Sequence, residues 1–333
     1  MNFFRHVMRI GVLLALASVA ASCDASEKLR IPMNNAGGPM ISHYIGRFMI
    51  QVPQSMNVVH RSASLRHREL RDLPWATGAV SEVLRKEIWM SRVKEIEKLP
   101  PPEGKGRALI EEREMTDPAG FTQAVLYFGD SDAGDRVFSE MLAARKLSGL
   151  WIKSIGVETK VQKMMEQNAD IARAYHSRDP ADAGLKANGF YLEHGYILLP
   201  YRSQEEAYAR FEGHPLGLKL RIQTNETHED EPHDEGLLGR LAATLATGMA
   251  AGVDVEKIRA GKRVVGGLKG EETVLRAKTA GKTDLSFIWR FAGKKDSGDQ
   301  PEILIEIEAK DGQLDEKLKL WDAVLNSFKP AGR

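Results

Sequence analysis

An α+β fold of two domains, each a mainly antiparallel sheet with packed helices, is what this sequence predicts, on three observations. Short apolar runs follow one another directly, without the strand-helix alternation of a wound α/β chain. Each half of the chain opens on such a run and stops it at a proline, "YIGRFMIQVP" at Pro53 and "GFYLEHGYILLP" at Pro200. Proline has no N–H to donate, so ladder pairing ends there. Each half also closes on an amphipathic helix: Val157, Val161, Met164, Asn168, Ile171 and Tyr175 keep helical spacing in the first, and Leu314, Leu318, Trp321, Leu325 and Phe328 keep it in the second.

Between those ends the strands are expected in order. "GRALIEEREM", "FTQAVLYFGD", "RVFSEMLAAR" and "GLWIKSIG" belong to the first half, then "GLKLRIQTNE", "EETVLRAKTA", "TDLSFIWRFA" and "PEILIEIEAK" to the second. "SRDPADAGLKANG" supplies Pro180, Gly184 and Gly189 between the first long helix and the next strand, which is turn chemistry and the expected domain boundary. The expected division is a leader over 1–22, a polar tether over 23–40, and α+β domains over 41–184 and 185–333.

The start of the chain reads as an export signal. Arg5, His6 and Arg9 precede an uncharged run from Ile10 to Ala21, and Ala20, Ala21 and Ser22 lead into Cys23, the chain's one cysteine. That run falls short of the roughly 20 apolar residues that span a bilayer as a helix. Small residues directly before a cysteine resemble the lipobox of bacterial lipoproteins, in which the thiol is acylated and becomes the mature first residue. Ala20 stands where a lipobox usually has Leu, so ordinary cleavage near Ala21 is the alternative. One thiol excludes an internal disulfide. Asp24 resembles an inner-membrane retention signal of some bacteria, and the choice of membrane stays open.

Composition then narrows the function classes. Of 333 residues 42% are hydrophobic and 28% charged, which describes a soluble globular body of one large or two medium domains. Loss of the leader removes Arg5 and Arg9 from 47 basic residues against 46 acidic ones and leaves one acid in excess. A nucleic-acid partner, which requires a strongly basic face, is not expected.

No motif carries catalysis. "FGDSDAG" places Gly129, Asp130 and Ser131 after a strand, but a G-x-S-x-G elbow needs glycine where Ala133 stands, and these residue types between adjacent strands are hairpin material. "THEDEPHDEG" crowds together His228, Glu229, Asp230, Glu231, His233, Asp234 and Glu235. Three readings of it stay open: a solvated acidic loop, a partner-facing patch that steers a basic surface, and, last, a metal site. Its spacing lacks the helical H-E-x-x-H pair, Pro232 interrupts it, and Asp234 and Glu235 suit the start of a helix through "GLLGRLAATLATG". "HRSASLRHRELRDLP" is basic without interleaved aromatics and is expected as a strand and loop surface. "GKRVVGGLKGEE" lacks P-loop spacing and is expected as a turn before a strand. Neither a metal nor a cofactor is expected.

"HYIGRFMIQVP" in one half, with "GGLKGEETVLR", "FIWRFAGKKDSGDQPEILIEIEAKD" and "LWDAVLNSFKP" in the other, resembles the periplasmic immunity proteins that neutralise class-four lipase effectors of type VI secretion. The resemblance covers nearly the whole mature chain and is stronger in the second half. It implies a non-catalytic protein whose two α+β domains form a clamp on a phospholipase of α/β-hydrolase type, in the periplasm, held to the membrane through a lipid on Cys23. The alternative is an envelope lipoprotein that binds a small ligand or another envelope protein.

Overall fold

Strand after strand pairs antiparallel with its neighbour in the computed structural model, which describes residues 38–75, 80–117, 120–129, 136–179, 189–202, 204–227, 236–239, 241, 254–279 and 281–332. The first half runs β1 (Met40–Ile45), β2 (Phe48–Pro53), β3 (Asn57–Leu65), β4 (Arg68–Pro74), α1 (Val80–Glu97), β5 (Leu109–Glu114), β6 (Thr122–Tyr127), β7 (Arg136–Ala144), β8 (Ser148–Val157), α2 (Val161–Arg173) and β9 (Tyr175–Ser177). The second runs β10 (Phe190–Tyr191), β11 (Gly195–Ile197), β12 (Glu205–Glu212), β13 (Lys219–Asn225), β14 (Asp254–Val265), β15 (Leu268–Thr279), β16 (Lys282–Phe291), β17 (Glu302–Lys310), α3 (Leu314–Ser327) and β18 (Lys329–Pro330).

The expected pair of sheets is instead one. Among the described residues, twelve strands join in the order β14-β15-β16-β17-β13-β12-β3-β4-β8-β7-β6-β5, the first six from the second half and the last six from the first. The seam is the β12–β3 ladder, from Glu205↔Leu65 to Glu212↔Asn57. A sheet edge carries unpaired N–H and C=O groups, and pairing the two inner edges satisfies them. Two three-stranded sheets, β1-β2-β18 and β10-β11-β9, complete the strand set.

Alternation along the strands decides which face each helix covers. On β7, Leu142 and Ala144 pack with Trp89, Val93 and Ile96 of α1, while Met141 and Ala143 join the main core with Met164, Met165 and Ile171 of α2. Both faces of β7 are therefore buried, with only Arg136 exposed along it. Polar groups fix each helix in register. Glu140 accepts from Arg92 Nε and Nη2 at 2.9 and 2.7 Å, from Tyr127 Oη at 2.6 Å and from Trp151 Nε1 at 3.0 Å. Asn168 of α2 donates to Ser139 and Ser154 beneath it. In the second half Trp321 of α3, with no exposed surface, donates from Nε1 to Glu272 Oε1 at 2.6 Å, and Arg263 closes on the same carboxylate oxygen at 2.9 Å.

The turns follow residue chemistry. Val264↔Lys269 and Val265↔Leu268 bracket Gly266 and Gly267, both at positive φ, which is the two-residue hairpin turn expected from "RVVGGLKG". "HRSASLRHRELRDLP" is the β3–β4 hairpin, with Arg66 at φ 52° and His67 at φ 62° making the same kind of turn without glycine. "YIGRFMIQVP" is a hairpin rather than one strand, because Gly46 at φ 58° turns the chain between β1 and β2. "GFYLEHGYILLP" likewise divides, into β10 and β11.

Candidate partner-binding site

Where the sequence placed its site, the structure is silent by position: His228, Glu229, Asp230, Glu231, His233, Asp234 and Glu235 lie outside the described residues, as do Cys23, Ser131 and the boundary near residue 184. The helix expected after the acidic run does begin, at residues 237–239 and 241, and Leu238 donates its backbone N–H to Glu271 Oε2 at 3.0 Å. Among the described residues no group of His, Cys, Asp and Glu is placed to hold a metal ion, and no helix is long and apolar enough to cross a membrane. Two small cavities, one beside Arg47 and Glu205 and one beside Tyr44 and Arg61, each have room for about one water.

A gathering of polar and aromatic side chains lies instead at the seam. β3 and β4 pair over three rungs only, Ala63↔Leu70, Ser64↔Glu69 and Leu65↔Arg68, and then part, β3 following β12 and β4 following β8. The β10–β11 turn spans that divergence. Glu193 reaches Arg61 of β3 at 3.7 Å, and His194 donates its backbone N–H to Asp72 of β4. Ser148 of β8 donates to the His194 carbonyl at 3.0 Å and shares a hydrogen bond with Tyr175 at 2.6 Å. From the other side Arg61 Nη1 donates to the Tyr44 carbonyl at 2.9 Å, and Gly46 exchanges backbone bonds with Tyr191 at 3.2 and 2.7 Å.

Burial sets the electrostatics of this cluster. It pushes His43 down to about 4, with the Arg61 guanidinium acting in the same direction, so the imidazole is neutral at pH 7. His43 also meets the edge of Phe211, with ring centroids 4.8 Å apart. Burial raises the Asp72 carboxyl against the lowering effect of the His194 N–H and Arg61, and it lowers Arg61 itself. Nearby, Arg47 at the β1–β2 turn forks onto Glu205 of β12 with two contacts of 2.6 Å and donates to the Leu199 carbonyl at 3.1 Å. Burial still outweighs that partner, and the Glu205 carboxyl is raised.

An aromatic strip runs outward from the same point. His176 of β9 stacks on Tyr196 of β11 at 5.3 Å, Tyr196 meets Tyr191 of β10 at 5.6 Å, and Tyr191 stacks on Tyr44 of β1 at 5.2 Å. The Arg178 guanidinium sits over the Tyr44 ring at 4.5 Å and donates to the Glu193 carbonyl at 2.8 Å. Tyr191 is buried, Tyr44 and Tyr196 are half-buried, and His176 is exposed. Aromatic faces, guanidinium groups and fixed carbonyls make a surface suited to recognition. Sequence reasoning missed this strip, since its four rings come from four strands; the alternation in "YHSR" and "FYLEHGY" was the available signal.

Comparison with known proteins agrees with the resemblance drawn from sequence. Residues 186–331 match the family described as the Tle cognate immunity protein 4 C-terminal domain. No curated protein sequence matches the chain. The fold is similar to the apo immunity protein TplEi of type VI secretion from Pseudomonas aeruginosa, at a TM-score of 0.71 and 20% identity over 87% of this chain and 97% of that one. A chain of the Tle4–Tli4 complex gives a TM-score of 0.72 at 19% identity over 90% of this chain and 99% of that one. TplEi complexed with "L" peptide gives 0.66 at 19% identity over 88% and 99%.

Proposed function

We propose that this chain, whose residues 186–331 belong to the family of the Tle cognate immunity protein 4 C-terminal domain, protects its own cell by binding a phospholipase effector of type VI secretion and blocking it sterically. The observation that carries this reading is the family match over the second half, and the likeness of the whole described fold to TplEi and to a chain of the Tle4–Tli4 complex supports it. Binding is the chain's whole activity on this account, and it performs no reaction. The two halves of the great sheet, on either side of the β12–β3 seam, act as a clamp that covers the mouth or lid of an enzyme of α/β-hydrolase type. A stable grip of that kind buries about 1,200–2,000 Å².

The compartment follows from the target. An effector that attacks lipid from the periplasmic side must be met there, which gives the leader over 1–22 its purpose. Acylation of Cys23 would keep the protector beside the membrane it defends, and stable anchoring takes more than one acyl chain. Local concentration then favours capture before hydrolysis. In this account the acidic run from His228 to Glu235 steers a basic rim of the effector.

The test is direct. Mature protein mixed with a purified phospholipase effector of the Tle4 kind, taken from the same cell, is expected to co-elute as one complex and to abolish lipid hydrolysis. Separate elution with full hydrolysis would contradict the proposal. Mass spectrometry of the mature N-terminus is expected to give an acylated Cys23, and an unmodified start near Ala21 would remove the anchor from the account.

A further inference from the structure

We infer that the aromatic strip at the seam is the anchor of the effector interface, and that it takes a carboxylate-bearing segment of the phospholipase. The inference rests on the inhibitor reading above and adds to it the surface and the chemistry of its occupant.

Three observations carry it. First, the composition is that of interface hot spots, which favour Tyr and Arg over aliphatic residues: Tyr44, Tyr191, Tyr196 and His176 stack in succession, with Arg178 over Tyr44 and Arg61 beneath its carbonyl. The strip is held rigid before any partner arrives. Tyr191 is only 2% exposed and packs on Met49 and Ala331, so the half-buried rings at its sides have little conformational freedom left to lose.

Second, the cluster has donors to spare. Nε of Arg61 and Nε of Arg178 are both buried without a hydrogen-bond acceptor among the described residues. The nearest carboxylate oxygen to Arg61 Nε, on Glu193, stands at 3.7 Å, beyond hydrogen-bond reach. Asp72 is already taken by the His194 N–H. Buried donors left unpaired cost stability in the free chain; Arg61 lies too deep for a partner to reach, whereas the Arg178 guanidinium is half-buried and holds a neutral carbonyl of Glu193, so an arriving carboxylate gives it a charge-assisted bond at its open side.

Third, the location suits a clamp. The strip is built from β1 and β9 of the first half and from β10 and β11 of the second, and it begins where β3 and β4 diverge. A segment seated on it contacts both halves at once.

The experiment titrates wild-type protein and its variants against a purified phospholipase effector of the Tle4 kind from the same cell by calorimetry, with thermal melts as the folding check. His176→Ala combined with Tyr196→Ala is expected to weaken binding at least ~30-fold. Arg178→Glu is expected to bind more weakly than Arg178→Ala, because reversal repels the carboxylate where truncation only loses it. Val264→Ser, which changes an exposed residue on β14, is expected to bind as wild type does. Unchanged affinity in the His176/Tyr196 double variant while wild type binds would overturn the assignment and leave the inhibitor reading intact. Arg178→Glu binding no worse than Arg178→Ala would overturn the acidic occupant. Failure of wild type to bind would overturn the reading and this inference with it.

Discussion

His43 ties the seam to pH with a definite sign. Its folded value, about 4, lies below the ordinary 6.5, so between those two values the unfolded chain takes up a proton that the folded chain refuses. The stability it contributes is present above pH 6.5 and is lost as pH falls toward 4, up to about 3 kcal/mol. Asp72 and Glu205 act the opposite way: their raised carboxyls contribute stability at acid pH that is lost as pH rises through their folded values. Urea titrations of wild type against His43→Leu isolate the histidine. The difference between the two is expected to change between pH 6.5 and 4, and a constant difference across that window would contradict the burial of a neutral imidazole. A second residue-scale test concerns Glu272. Its carboxylate is met by Trp321 Nε1, Arg263 and, at 3.3 Å, Arg259. Glu272→Ala leaves an indole donor and two guanidinium groups without it, and a loss of about 3–5 kcal/mol is expected in denaturant unfolding.

At the scale of elements, periodicity carried as far as it does when one face is buried. Leu314, Leu318, Trp321 and Leu325 all lie on α3, and Val161, Met164, Asn168 and Ile171 all lie on α2; Val157, expected on the same helix, is the last residue of β8, and Tyr175 and Phe328 fall just beyond their helices, where the chain is already extended. β13, β15, β16 and β17 appear where alternating apolar runs put them. What escaped was α1, because eight of its 18 residues are charged and it buries only a narrow stripe of Trp89, Val93 and Ile96. The spacing of those three was the legible signal. Trp89→Ala removes the largest side chain of that stripe, which meets Trp151 in a tilted contact at 5.8 Å and donates to Glu112 at 2.6 Å. It is expected to cost about 3–5 kcal/mol and to speed amide exchange along α1. Unaltered protection of α1 in that variant would show that the stripe does not hold the helix. β12 and β14 also escaped: β12 alternates small alanines with charge, and β14 is polar along most of its length.

For the molecule as a whole, the sequence pointed to two halves of similar rhythm; the twelve-stranded sheet keeps their strands in two blocks, while β1-β2-β18 and β10-β11-β9 each mix strands of both halves. Which edges would meet was not legible, since β12 and β3 lie far apart in the chain and their pairing is decided by register and burial across the seam. The same distance hid the aromatic strip, whose rings span from residue 44 to residue 196. Three of the four family-like segments sit in the second half, which the family match covers, and "HYIGRFMIQVP" lies outside it. In the proposed clamp, the paired strands of the seam would hold the two halves together before a partner arrives, which lowers the ordering cost of binding. The account's central claim is that this chain silences a phospholipase by occupying it. Residual lipid hydrolysis, followed as the mature protein is titrated into a purified phospholipase effector of the Tle4 kind from the same cell, tests that claim most directly. Hydrolysis is expected to fall linearly and vanish at equal molar amounts; hydrolysis undiminished in molar excess would contradict it.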